Sequence, residues 1–234
     1  MPAGPPTSPS GIGGEDGVKL RNFARAVKQT RRLHICHVAR GDVWLAHGKA
    51  IYRAAGLPKS VDSETILPVL DFDAEESKKI VVISDYFDDR RDVFGMDLRD
   101  DRTLDIPARR ITVSAVKNGV YATGLLCDDG ELVFYSSELL SPLADVYKEH
   151  QEYIEIVVRA EENGQRYIVV RDGFDVVAAI LPLNIIDKEF LGDLQEFQAR
   201  CVEQYLRLEA RRGIADMDDG QTVIEGTEGG GNDD

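Results

Sequence analysis

The chain has 234 residues, 43% of them hydrophobic, and a formal net charge of −14. That length allows one large domain or two small ones around a real core, which excludes a wholly disordered chain. No apolar run long enough for a membrane span or a secretory signal is present, and Cys36, Cys127 and Cys201 are too scattered for a disulfide framework or a zinc pair. A reduced, cytoplasmic protein without membrane attachment is the expectation.

Residues 1–17 are rich in Pro, Gly and Ser and predict a disordered arm; their Gly11-Ile12-Gly13-Gly14 follows no strand and lacks the Lys-Ser/Thr pair of a phosphate loop. An amphipathic helix comes next. Leu20, Phe23, Ala24 and Val27 form its apolar stripe, and Arg21, Arg25, Lys28 and Arg32 recur at i, i+4, i+7 and i+11 with Arg31 beside them. Residues 17–40 contain seven Lys or Arg and no acid, a segregation that points to a polyanion partner, nucleic acid first.

Strand patterns follow at His34 to Val38 and Val43 to Arg53, with a turn at Arg40-Gly41-Asp42, and again at Lys79 to Ser84, Arg110 to Ala115 and Gly119 to Leu126. Asp128-Asp129-Gly130 turns the chain into Glu131 to Tyr135. Ser137 is the expected cap of a helix running to His150, with Pro142 near its start. Tyr153 to Ala160, Gln165 to Arg171 and Phe174 to Leu183, joined at Asn163-Gly164 and Asp172-Gly173, make an antiparallel meander. Asp187 then caps a long helix in which Phe190, Leu194, Phe197, Cys201, Tyr205 and Leu208 recur at helical spacing until Gly213. From Asp216 onward seven acids and five glycines predict a solvated tail.

The stretch 60–107 shows alternating Asp and Arg and is expected to be an irregular insertion or lid held by local ion pairs. The expected architecture is α+β: a domain over 18–185 with an antiparallel sheet and two helices on one face, then a C-terminal helix over 186–213 and a tail over 214–234.

Several residues invite a chemical interpretation. Asp71, Asp73, Asp85, Asp88 and Asp89 resemble carboxylates of a two-metal nuclease, and Glu76-Ser77-Lys78 imitates part of such a core, although these short patterns lie outside the strand they would need. His34 and His37 fall on opposite faces of one strand and cannot share a metal. Trp44 offers either a base-stacking platform or a core side chain. No catalytic motif or cofactor signature stands out, and none is expected.

Leu20 to Thr30 as a first helix, GDVWLAHGKAIYRA as an early strand pair, ELVFYSSELLSPLADVYKE as a strand leading into a second helix, and YIEIVVRAEENGQRYIVVRDGFDVVAAILPL as closing strands follow one another in a familiar order. In that order the chain resembles the bacterial DNA sliding clamp, the polymerase III beta subunit. The segment 60–107 and the last helix have no counterpart in the pattern. The resemblance implies helices that line a ring and face DNA through basic residues in DNA replication, without catalysis, and carries Arg21, Arg25, Lys28 and Arg32 onto the phosphate backbone. A different class of function is a structural module that self-assembles through the long helix and sheet edges, with the basic stripe meeting an acidic protein surface.

Overall fold

A computed structural model describes residues 18–39, 41–117, 119–161 and 163–218. The proposed N-terminal arm and residues 219–234 of the tail lie outside them. Residues through Asn184 form one unit and those from Ile185 onward a second.

The first unit opens with α1, Leu20–Thr30, whose Phe23, Ala24 and Val27 are buried as the apolar spacing requires. Its strands are β1 (Arg32–Val38), β2 (Asp42–His47) and β3 (Ala50–Arg53), followed by the short helices α2 (Ile66–Val69) and α3 (Ala74–Ser77) and then β4 (Val81–Phe87). The run 43–53 is therefore two strands, not one. Gly48, at φ +52°, supplies the positive φ that a two-residue hairpin turn demands.

Beyond a 3-10 turn at Arg102–Leu104 come β5 (Ala108–Lys117), β6 (Val120–Cys127) and β7 (Leu132–Ser136). A 3-10 segment over Ser137–Leu143 leads into α4 (Ala144–Glu149), so the second helix is shorter than its sequence pattern, and no side chain caps the 3-10 start. β8 (Ile154–Ala160), β9 (Arg166–Asp172) and β10 (Asp175–Ile180) close the unit as the predicted meander.

The strands divide into two sheets. Seven lie in the order β4-β1-β2-β3-β10-β9-β8 and three in the order β5-β6-β7. All neighbours are antiparallel except β1 and β4, which run parallel with Arg32 opposite Val81 and Val38 opposite Phe87. The fold is thus mixed α+β with a mostly antiparallel sheet. α1 and the 3-10/α4 segment lie side by side, joined where the Lys19 amide donates to the Pro142 carbonyl at 2.7 Å and Asn22 Nδ2 to the Ser141 carbonyl at 2.7 Å.

One face of the large sheet carries Leu33, Ile35, Val43, Leu45, Ile168 and Val170 into a core shared with α1, the α2 region and the smaller sheet. The other carries Cys36, Val38, Trp44, Ala46, Tyr167 and Val169. In β10 the strict alternation slips at a bulge between Val176 and Ala178, which sets Val176 on the second face and Ala178 on the first.

What covers that second face is part of the segment expected to be irregular. Val93, Met96 and Leu98 are buried against it, Ile66, Leu67, Leu70 and Phe72 pack on the first face, and β4 extends the sheet. The stretch 60–107 is therefore an integral layer of the domain rather than an insertion. Its ion pairs are long-range as well as local: Arg90 pairs with both Asp42 and Asp100.

The second unit contains α5, Lys188–Asp218, which continues through Gly213, where the sequence pattern placed its end. The Phe190 amide donates to Asp187 Oδ1 at 2.9 Å, the cap expected at its start. No helix among the described residues is long and apolar enough to cross a membrane.

Candidate nucleic-acid interface

The basic stripe is split by the fold. Arg21 and Arg25 stand on the exposed face of α1 with no carboxylate partner among the described residues. Lys28 is exposed too, but its Nζ lies 2.5 Å from Glu76 Oε1 and 5.4 Å from the centre of the Phe72 ring, so it is already engaged. Lys19 is likewise paired, at 2.8 Å from Asp145.

The helix ends at Thr30. Arg31 occupies its C-cap in the left-handed region, at φ 54°, with its amide donating to the Val27 carbonyl at 2.7 Å. Arg32 is the first residue of β1. The spacing i to i+11 therefore does not place Arg32 on the helix, because the chain reverses direction at Arg31 one residue earlier. Both arginines remain exposed and without a carboxylate partner among the described residues.

At this end of the sheet lies a cavity of about 530 Å³. Arg31, Arg32 and Lys49 line it together with His34, His47, Phe94, Met96, Ile51, Val81 and Leu181, and no Asp or Glu is among its lining residues. A cavity of about 720 Å³ beside Arg53 and His150 contains Asp42, Asp172 and Asp175, and two further ones mix Arg with Asp. In a chain with 42 acids against 28 bases, this cavity, lined by described residues without an acid, has a chemistry that suits an anion.

Its two imidazoles differ in surroundings. Asp85 Oδ2 lies 2.9 Å from His34 Nδ1, which orients that ring, and Phe94 meets it edge-on at 5.4 Å. His47 stacks on Tyr52 at 5.6 Å and is 3% exposed, with no hydrogen-bond partner for either ring nitrogen. Burial lowers its pKa to about 4, so it is neutral at physiological pH.

Three of the proposed metal carboxylates, Asp73, Asp85 and Asp89, take separate structural posts. Asp73 and Glu76 form the capping box of α3, Asp85 holds His34, and Asp89 accepts the Arg91 amide at 2.6 Å. Among the described residues no group of three or more His, Cys, Asp or Glu is placed to hold a metal ion. Trp44 is fully buried and belongs to the core, so it offers no stacking platform. His37 lies parallel to Tyr86 at 4.8 Å. Cys36 is buried, and desolvation pushes its thiol up to about 12, leaving it unreactive.

Two residues central to the structure were not singled out by sequence patterns. Arg159 and Arg171, on β8 and β9, are 1% and 0% exposed and converge on Asp105. Further donors of the two side chains hold the carbonyls of Asp97, Arg99, Asp101 and Asp100 at 2.6 to 3.0 Å, fixing the 97–105 segment across the second face. An arginine inside each of these two largely apolar meander strands was the available signal, since a guanidinium on a buried strand face requires an acid from elsewhere in the chain.

Set against known proteins, the chain matches no family model, no curated protein and no solved structure. The class defined by fold and site is a mixed α+β domain with a cavity lined by cations and no acid at one sheet end.

Proposed function

We propose that this protein is a non-enzymatic accessory factor that holds duplex DNA by its phosphate backbone, through Arg21, Arg25, Arg31 and Arg32. One observation carries the proposal: these four cations lie together on α1 and the start of β1, exposed and without a carboxylate partner among the described residues, whereas the neighbouring Lys19 and Lys28 are each matched to an acid of the same fold. Four backbone contacts give sequence-independent binding whose logarithmic salt slope is about −3.6. The clamp-like element order supports a replication role for that binding. A mobility-shift series in rising salt tests it: Arg21→Glu with Arg25→Glu should abolish retention at moderate salt while the fold is kept, and unchanged affinity would sink the proposal.

A second function, assembly through α5, draws support from that helix taken alone. Leu194, Phe197, Cys201, Tyr205 and Leu208 form a stripe, all exposed, with Phe197 at 66%. Glu189, Asp193 and Glu196 sit toward its start and Arg207, Arg211 and Arg212 toward its end. Antiparallel pairing with a second copy would cover the stripe and set opposite charges against each other. Sedimentation should show a dimer that Leu194→Glu with Phe197→Glu converts to monomer; a wild-type monomer at high concentration removes this function.

A further inference from the structure

We infer that the acid-free cavity at the end of the large sheet binds a small organic phosphate bearing a planar ring, with the size and chemistry of a mononucleotide. It goes beyond backbone binding to duplex DNA and shares with that proposal only Arg31 and Arg32.

Three features converge on this ligand. Arg31, Arg32 and Lys49 line the cavity without an acid among the lining residues, so an entering anion meets no internal competitor. Asp85, which is not among the lining residues, lies with Oδ2 2.9 Å from Nδ1 of the lining His34. Phosphate is the anion that such a cluster of cations holds best, because several donors can share its oxygens.

The rest of the wall is unsuited to a bare ion. Phe94, Met96, Ile51 and Leu181 give an apolar surface with one aromatic ring, and about 530 Å³ lies within the range that drug-sized ligands and cofactors occupy. Phe94 is 44% exposed and Met96 is buried, so the wall offers both an open ring and a closed floor. A ligand that pairs charge with a flat apolar body uses both halves; inorganic phosphate uses one.

The backbone supplies the third feature. Arg31 and Phe94, two of the three non-glycine residues with positive φ among those described, both line this cavity, at φ 54° and 56°. The Arg31 site is a helix C-cap where glycine is the favoured residue, so a cation there sacrifices conformational stability to stand beside the cavity. Strain concentrated at one concave, charged place is characteristic of binding sites.

Calorimetric titration of the full chain with adenosine 5′-monophosphate, adenosine and inorganic phosphate tests the inference. The monophosphate should bind saturably at one site, with adenosine and phosphate each at least about tenfold weaker, since each loses half of the contacts. Lys49→Glu and Arg32→Glu, both at exposed positions, should each weaken the monophosphate by about tenfold or more with an unchanged far-ultraviolet spectrum, whereas Arg21→Glu with Arg25→Glu should leave it unaffected. A short 5′-phosphorylated oligonucleotide that displaces the monophosphate assigns the site to a strand end, and one that does not assigns it to free nucleotide; either supports the site. Absence of saturable binding at millimolar monophosphate, equal affinity for inorganic phosphate, or full affinity in both charge-reversal variants overturns it.

Discussion

Arg159 donates its Nε–H to Asp105 Oδ1 at 2.7 Å, in a place where the arginine side chain is 1% exposed and the carboxylate 9%. The second oxygen of the same carboxylate takes Arg171 Nη1 at 2.9 Å. One acid thus bridges two buried guanidinium groups, and together they tie the covering segment to β8 and β9. A pair so placed adds little net stability over an apolar substitute, but removal of one member leaves charge stranded away from water. Asp105→Ala should therefore destabilise the domain by about 3–5 kcal/mol. Urea denaturation reads this directly, and a loss below about 1 kcal/mol would mean that the carbonyls of residues 97–101 satisfy the arginines unaided.

His47 makes folding sensitive to acid. Burial lowers it from 6.5 to about 4 in the folded protein. As pH falls below 6.5 the unfolded chain takes up a proton that the folded state refuses until about 4, so stability present above 6.5 is lost across that window, by about 3 kcal/mol. His47→Phe keeps an aromatic ring against Phe23 and Tyr52, removes two unpartnered nitrogens and should flatten the stability profile between those limits. Denaturation curves at pH 7 and pH 5 for both proteins make the comparison; identical slopes would contradict the assignment.

Glu76 restrains one cation of the original stripe. Its side chain pairs with Lys28 and also closes the capping box of α3. Glu76→Gln keeps a residue able to complete that box while freeing the ammonium. If α1 holds DNA, this variant should bind severalfold tighter than the native protein, and its salt slope should steepen by about 0.9. The same mobility-shift series measures both quantities. Weaker or unchanged binding would argue that Lys28 does not face the polymer.

Arg31 sets stability against binding. At its left-handed cap, Arg31→Gly should stabilise the domain by about 0.5–1 kcal/mol, because glycine adopts positive φ without a Cβ clash. The same change removes a cation from both proposed surfaces and should weaken DNA and monophosphate binding together. Thermal melting and the two binding assays score the trade; a gain in melting temperature without a binding loss would release Arg31 from any functional role.

Local pattern alone determined much of the fold. The three- and four-residue spacing of Phe23, Ala24 and Val27 dictated the buried face of α1, Asn163-Gly164 and Asp172-Gly173 dictated the closing meander, and Asp187 marked the start of α5, because each depends on neighbours within a few residues. The exposed state of Arg21 and Arg25 was legible for the same reason.

Tertiary contacts decided the rest. Nothing near Arg32 in sequence reveals that the chain reverses at Arg31, that β1 takes β4 as a parallel neighbour, or that Lys49 returns from a hairpin to join Arg31 and Arg32 at one cavity. The stretch 60–107 looked irregular because its order comes from partners far along the chain: Arg90 with Asp42, and Asp105 with Arg159 and Arg171. Periodicity records which face of an element is apolar, whereas two-sided burial and charge pairing are fixed only when distant segments meet and exclude water.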